Sequence, residues 1–84
     1  MPIWWTYIVE CSDKTLYTGI STDVNRRVLE HNTSKKGAKY TKTRRPVKLK
    51  YKEEFNNRSD ASKRECEIKK LSKKEKINLL NNTL

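Results

Sequence analysis

The 84-residue sequence predicts an α+β domain with a small central three-stranded β-sheet flanked by helices. Three observations carry this expectation. Residues 3–11 form a dense β-branched and aromatic run. A second run, Thr15 to Ile20, follows it across the turn cluster Ser12-Asp13-Lys14, which is the pattern of a hairpin. Two later stretches, beginning near Asp23 and near Asp60, carry apolar residues at helical spacing. The length allows one domain, assigned to residues 1–80, with 81–84 as a fraying tail. A chain this short buries only ~60% of its unfolded surface, so its core is thin.

In the first strand Ile3, Trp4, Trp5, Tyr7, Ile8 and Val9 place apolar groups on both faces, as a central strand covered on two sides requires. The hairpin register then matters. A two- or four-residue loop sends Tyr7 and Tyr17 to opposite faces, because side chains alternate with period two. A three-residue loop pairs Cys11 with Thr15, Val9 with Tyr17 and Tyr7 with Gly19, and puts both tyrosines on one face. Such a loop usually holds one residue in the left-handed region, a conformation Asp13 tolerates.

Thr22 or Asp23 can cap a first helix running to about Asn32. Val24 and Val28 mark its inner stripe, and Arg27 and His31 stack four residues apart within about 60° of it. Residues 33–45 read as a polar, basic loop. After Pro46 comes a third strand in which Val47, Leu49, Tyr51 and Phe55 alternate with charged residues. Ser59 or Asp60 caps a second helix with Ala61, Ile68 and Leu71 inward. Glu65 falls about 40° from Ala61 on that stripe, while Glu67 points away. A last short helix begins near Ser72 with Ile77 and Leu80 facing in.

Charge narrows the classes of partner. Twenty Lys and Arg against 10 acids give a formal net charge of +10, which favours an anionic partner, nucleic acid or a membrane surface. No apolar run approaches the ~18 residues of a membrane span, and no long helix has an apolar face flanked by cations, so a membrane role is disfavoured. Met1-Pro2-Ile3-Trp4-Trp5 lacks the pattern of a signal peptide, and Cys11 and Cys66 show no metal-ligand spacing. Two reduced thiols in a cytoplasmic protein is the resulting expectation. The segment 35–50 holds eight Lys or Arg and no acid. Within it Lys35, Lys36, Lys39, Lys42, Arg44 and Arg45 are candidates for phosphate contacts, which give affinity with little sequence reading, and Tyr40 for stacking on a base or ribose.

The ordered set Tyr7, Tyr17-Thr18-Gly19, Asp23, Arg27, His31 and a lone helical Glu65 resembles the motif of the GIY-YIG nuclease superfamily over nearly the whole chain. Gly37-Ala38-Lys39-Tyr40-Thr41 followed by Arg44-Arg45-Pro46 resembles its small stand-alone bacterial members, an uncharacterised group. Trp5-Thr6-Tyr7 stands where the motif has Gly-Ile-Tyr, and Thr18 replaces the middle residue of Tyr-Ile-Gly.

The resemblance implies metal-dependent hydrolysis of DNA phosphodiesters, with DNA favoured over RNA and structure-selective substrates among those expected. It implies Tyr7, Tyr17, Arg27, His31 and Glu65 as the catalytic set. Tyr17 would orient or activate the attacking water. Arg27 would clamp the phosphate and stabilise its developing charge. His31 would bond a tyrosine hydroxyl or a phosphate oxygen, or relay a proton. Glu65 would hold one Mg²⁺ or Mn²⁺, weakly bound without substrate because only one carboxylate serves it. A monomer is expected, with a protein partner for specificity. The competing reading is a non-catalytic nucleic-acid-binding module on the same fold.

Overall fold

The computed structural model describes residues 2–33 and 36–81. The elements run β1 (Trp4–Glu10), β2 (Leu16–Ser21), α1 (Val24–Thr33), α2 (Lys39–Lys42), β3 (Lys48–Phe55), α3 (Arg58–Lys69) and α4 (Lys73–Asn81). The three strands form one antiparallel sheet in the order β2-β1-β3, so the apolar first strand is central. The run Thr6, Tyr7, Ile8, Val9 is buried on both faces accordingly.

The odd hairpin register is the one observed: Tyr7 pairs with Gly19, Val9 with Tyr17, and the Cys11 amide donates to the Thr15 carbonyl at 2.8 Å. Its left-handed residue is Lys14 (φ 71°), not Asp13. Asp13 has a different task. Its carboxylate accepts from the Thr15 amide at 3.1 Å and from the Thr15 hydroxyl, holding the turn shut from the side.

The third strand departs from simple alternation. Ile8 pairs with Tyr51 but Val9 pairs with Leu49, so Lys50 is an extra residue in a β-bulge. The bulge leaves Leu49 on the face of Val9 and turns Tyr51, Glu53 and Phe55 to the face of Ile8, Thr6 and Trp4. It thereby brings Glu53 to Arg64 of α3 at 3.0 Å.

The two faces are covered by different helices. On one, Tyr7, Val9, Cys11, Val24 and Val47 form the buried cluster, with Trp5, Tyr17, Val28 and Leu49 packed against it. This is the α1 side. On the other, the Thr6 hydroxyl donates to the Ala61 carbonyl at 2.8 Å, and Ile8, Ala61 and Ile68 are fully buried. This is the α3 side. The Asp23 carboxylate caps α1 by accepting the Arg26 amide at 3.0 Å. The cap of α3 is Asn57, ahead of the expected Ser59 or Asp60, and it accepts the Asp60 amide at 2.8 Å. Ser72 and Glu75 bond each other's amides at the start of α4 in a reciprocal capping box.

Expectations change in the loops and at the C-terminal end. Residues 33–45 are not uniformly loop, because a single helical turn, α2, forms where the Ala38 carbonyl accepts the amides of Thr41 and Lys42. In α4 no residue is buried and Ile77 is 42% exposed, so Ile77 does not face in, while Leu80 is half-buried. The helix runs through Asn81, the first residue of the expected tail, and 82–84 lie outside the described residues.

An L-residue in the left-handed region costs roughly 1–2 kcal/mol, of which glycine's extra unfolded-state freedom returns about 0.5–1 kcal/mol. Lys14→Gly is therefore expected to raise stability in urea unfolding by up to about 1 kcal/mol. A lower midpoint would show that the Lys14 backbone is unstrained or that its side chain stabilises the turn.

Candidate active site

The site begins with a missing side chain. Gly19 lies opposite Tyr7 in the sheet, and a Cβ built there would stand 2.6 Å from the Tyr7 hydroxyl oxygen and 2.8 Å from Cζ. No side chain fits, so glycine is what lets the Tyr7 ring lie across its neighbour and carry its hydroxyl toward the open edge strand β2. There the hydroxyl meets His31 Nε2 at 2.8 Å. The other ring nitrogen, Nδ1, lies 2.8 Å from the Thr41 hydroxyl, which is itself 3.0 Å from the Ala38 carbonyl. Tyr7, His31 and Thr41 are all essentially inaccessible to solvent. A buried polar chain is tolerated only if its members are paired, and here every link is made.

His31 is thus a core residue of α1, not an edge residue. Two devices hold it. Asn32 clamps the strand-leading residue Val47, accepting its amide at 2.7 Å and donating to its carbonyl at 3.1 Å. Arg45 turns inward and donates to the His31 and Glu30 carbonyls at the C-terminal end of α1. Gly37 lets the returning loop lie against that end, since a Cβ there would meet the Glu30 carbonyl oxygen at 2.8 Å.

Arg27 joins the chain from the same helix. Its guanidinium donates to Glu30 at 3.0 Å and to the Lys36 carbonyl at 2.7 Å, and its positive charge acts on the Tyr7 hydroxyl. Burial disfavours its charge, but Glu30 and Tyr7 outweigh burial and raise its pKa further. Burial pushes Tyr7 up to about 12 against the pull of Arg27. Burial, then the Arg27 charge, pushes His31 down to about 4. Moving a proton from Tyr7 to His31 is then uphill by on the order of 10 kcal/mol, before any attraction between the resulting charges. The pair is held neutral, and His31 orients Tyr7 rather than acting as its base.

Tyr17 stands above this chain, half-buried. Its ring packs edge-on against His31 (centroids 5.3 Å, 67°) and stacks on Tyr40 (5.8 Å, 24°). The Arg44 guanidinium lies 4.0 Å from the Tyr40 centroid and is held by Asp13 at 3.1 Å and by the Tyr40 carbonyl at 2.8 Å. The α2 turn is therefore a wall of the site. Tyr40, expected to stack on nucleic acid, stacks on Tyr17, although its residue is still 38% exposed. Of the expected phosphate ligands, Arg45 is committed to the end of α1 and Arg44 to Asp13 and Tyr40. Lys36, Lys39 and Lys42 are exposed, and Lys35 lies outside the described residues.

Glu65 stands apart from this group. Helix α3 covers the opposite face of the sheet from α1, across β1 and β2, and the Glu65 carboxylate, 20% exposed, pairs with Lys69 at 3.2 Å. It reaches the group only through its charge, which raises the Tyr7 pKa slightly. The structure joins Tyr7, His31 and Tyr17 by a hydrogen bond and ring contacts, carries Arg27 on the same helix as His31 with its charge acting on Tyr7, and carries Glu65 on α3, the helix of the other face. Among the described residues no cluster of three His, Cys, Asp or Glu side chains is arranged to hold a metal. A single carboxylate suits Mg²⁺ only when waters and substrate phosphate complete the shell.

Three contributors were not singled out from sequence: Thr41, Asn32 and the inward role of Arg45. Thr41 lies inside the run Gly37-Ala38-Lys39-Tyr40-Thr41, but one threonine in a basic stretch carries no periodic signal.

The buried histidine makes stability depend on pH. Folded His31 stays neutral down to about pH 4, whereas an unfolded histidine takes up a proton near 6.5. The stabilisation is complete above pH 6.5 and is lost as pH falls toward 4, by about 3 kcal/mol in total. Urea unfolding of wild type and His31→Gln at pH 7, 5.5 and 4.5 should show this slope in wild type only. Parallel profiles would place the His31 titration at its ordinary value.

Known proteins match nearly the whole length of the chain. The GIY-YIG catalytic domain model matches residues 3–78. A UPF0213 protein of Desulfotalea psychrophila is 57% identical over 79 residues, covering 94% of this chain and 72% of that one. A UPF0213 protein of Syntrophus aciditrophicus is 54% identical over 76 residues, covering 90% and 87%. The solution NMR structure of a UPF0213 protein from Bacillus halodurans superposes with a TM-score of 0.63 at 41% identity, covering 96% of this chain and 85% of that one. With its motif residues on the hairpin and α1, and relatives of this similarity along almost its whole length, the chain belongs to the GIY-YIG domain family, among the small UPF0213 proteins.

Proposed function

We propose that this domain is a divalent-metal-dependent endonuclease that hydrolyses phosphodiester bonds in DNA. The observation that supports it best is the buried Tyr7–His31–Thr41 chain with the Arg27 guanidinium beside it. A thin core gains little by burying a polar chain and drawing a cation against it, whereas apolar packing at those positions would be at least as stable. Such a construction suits a site that must hold a tyrosine and an arginine in fixed positions.

In this reading Tyr17, fixed by His31 and Tyr40 and only half-buried, orients the attacking water at the rim. Arg27, its orientation set by Glu30 and the Lys36 carbonyl, turns charge toward the phosphate. Tyr7 stays protonated and serves as a fixed dipole beside Arg27. His31, enclosed with both nitrogens engaged, holds Tyr7 and makes no phosphate contact. Glu65 would hold Mg²⁺ or Mn²⁺ together with substrate oxygens, exchanging Lys69 for the ion. The ion, when bound, supplies a positive charge at the phosphate and leaving oxygen. The exposed Lys36, Lys39 and Lys42 give sequence-independent affinity for the backbone. The second reading, a binding module without catalysis, is favoured by one observation: Glu65 is ion-paired across the sheet from the other four.

Cleavage of duplex, nicked, branched and single-stranded DNA, and of RNA, with Mg²⁺ and Mn²⁺ separates the two. Glu65→Gln is expected to slow cleavage by about two orders of magnitude or more, ~3 kcal/mol of barrier, while metal-free binding persists. Glu67→Gln is the control, being 65% exposed and paired with Arg64. Wild type that cleaves no substrate with either ion would establish the binding module. Equal cleavage by wild type and Glu65→Gln would remove the metal from Glu65.

Affinity should also fall steeply with salt, at about −0.9 in log K per log salt for each phosphate contact. Replacing Lys39 and Lys42 by Ala should flatten that slope by up to about 2 and weaken all sequences alike. An unchanged slope would place the phosphate path elsewhere.

A further inference from the structure

We propose that Thr41 is a positioning residue that holds His31 in its Nδ1–H tautomer, so that Tyr7 donates to Nε2 and keeps its oxygen as an acceptor facing Arg27. Its importance for catalysis rests on the nuclease reading, but the hydrogen-bond assignment does not.

The assignment follows from counting protons. The Thr41 hydroxyl has one hydrogen and two neighbours, the Ala38 carbonyl oxygen at 3.0 Å and His31 Nδ1 at 2.8 Å. The Thr41 hydroxyl is aimed at the Ala38 carbonyl oxygen, which also accepts the amides of Thr41 and Lys42, and with its hydrogen directed there the Thr41 oxygen accepts from Nδ1. A neutral imidazole carries one N–H, so Nε2 is then an acceptor. Tyr7 leads to the same result from the other end. Its hydroxyl is enclosed, and the Arg27 charge nearby offers donors but no acceptor. Within that enclosure His31 Nε2 at 2.8 Å is the acceptor for the phenolic hydrogen. The Ala38 amide also approaches Nδ1, at 3.4 Å. That contact is at the outer limit of a hydrogen bond, and Ala38 is only half-buried, so water can serve its amide instead.

The chain therefore has one direction: Tyr7 O–H to Nε2, Nδ1–H to Thr41, Thr41 O–H to the Ala38 carbonyl at the start of α2. The same turn that carries Tyr40 against Tyr17 thereby sets the polarity of Tyr7. With the other tautomer, Nε2–H would compete with Arg27 for the Tyr7 oxygen, and the phenolic hydrogen would lose its acceptor. A valine at position 41 keeps the shape and removes the acceptor for Nδ1–H.

Long-range ¹H–¹⁵N correlation spectra of the ¹⁵N-labelled protein at pH 7 report the tautomer of its single histidine directly. Wild type should show a protonated Nδ1 and an unprotonated Nε2. Thr41→Val should lose that pattern, with Nε2–H becoming at least half of the population, and Thr41→Ser should restore it. Thr41→Ala makes the same test should valine prevent folding. Wild type in the Nε2–H form, or Thr41→Val or Thr41→Ala unchanged from a wild type in the Nδ1–H form, would overturn the proposal. The readout needs no substrate, so a protein that cleaves DNA with the wrong tautomer refutes Thr41 alone. A protein with the expected tautomer and no cleavage refutes the nuclease reading alone.

Discussion

Tyr7 lies across Gly19, and the arrangement of the site depends on that contact. The central strand has neighbours on both sides, so a large ring on it ordinarily points straight into a helix. The absent Cβ at Gly19 opens a slot in the edge strand, and the ring leans into it until its hydroxyl stands under α1. Any side chain at 19 would fill the slot and turn the hydroxyl away. The slot works only because the hairpin loop has three residues, which puts Gly19 opposite Tyr7 and Tyr17 on the same face. A one-residue slip would send Tyr17 to the α3 side, where Thr6, Ile8 and Thr18 lie. Turn chemistry at Ser12-Asp13-Lys14 and site chemistry are therefore one constraint.

A second layer of order comes from the basic segment, which combines two roles that conflict in isolation. Surface cations suit an anionic partner, yet Arg44 and Arg45 turn to the protein instead. Arg45 closes the end of α1, where unpaired carbonyls and the negative end of the helix favour a guanidinium. Arg44 ties the hairpin turn to α2 through Asp13 and lies over Tyr40. The lysines, with a compact and strongly hydrated charge, stay outside. Arginine builds the wall and lysine faces the solvent, a division that follows from the geometry of the two head groups.

Helix α3 obeys a different logic. Thr6, Ile8 and the part of β3 beyond the bulge set its seat, and Glu53 of β3 pairs with Arg64 of α3, which Glu67 of the same helix also holds. Nothing in that packing refers to the opposite face. A Glu65 function therefore reaches the other motif residues through a substrate that bridges the β2 side of the sheet, not through side-chain contact in the free protein.

The sequence by itself determined the element order, the central position of β1, the three-residue loop and the grouping of Tyr7, Tyr17, Arg27 and His31 on one side. Each of these is written in local periodicity: strands alternate every residue, helices return every three to four, and turns need particular residues. It also carried the family resemblance along nearly the whole chain. Only the tertiary structure decided that His31 is enclosed, that Thr41 completes its hydrogen bonds, that Arg45 points inward, that Lys50 bulges and that Glu65 lies across the sheet. These depend on which distant segments meet, and a single threonine or arginine in a basic run looks the same whether it faces water or a buried histidine. The slot at Gly19 shows the boundary between the two kinds of information. Register placed the glycine opposite the tyrosine, but whether the ring would fill the gap rested on the histidine waiting from another element to accept its hydroxyl.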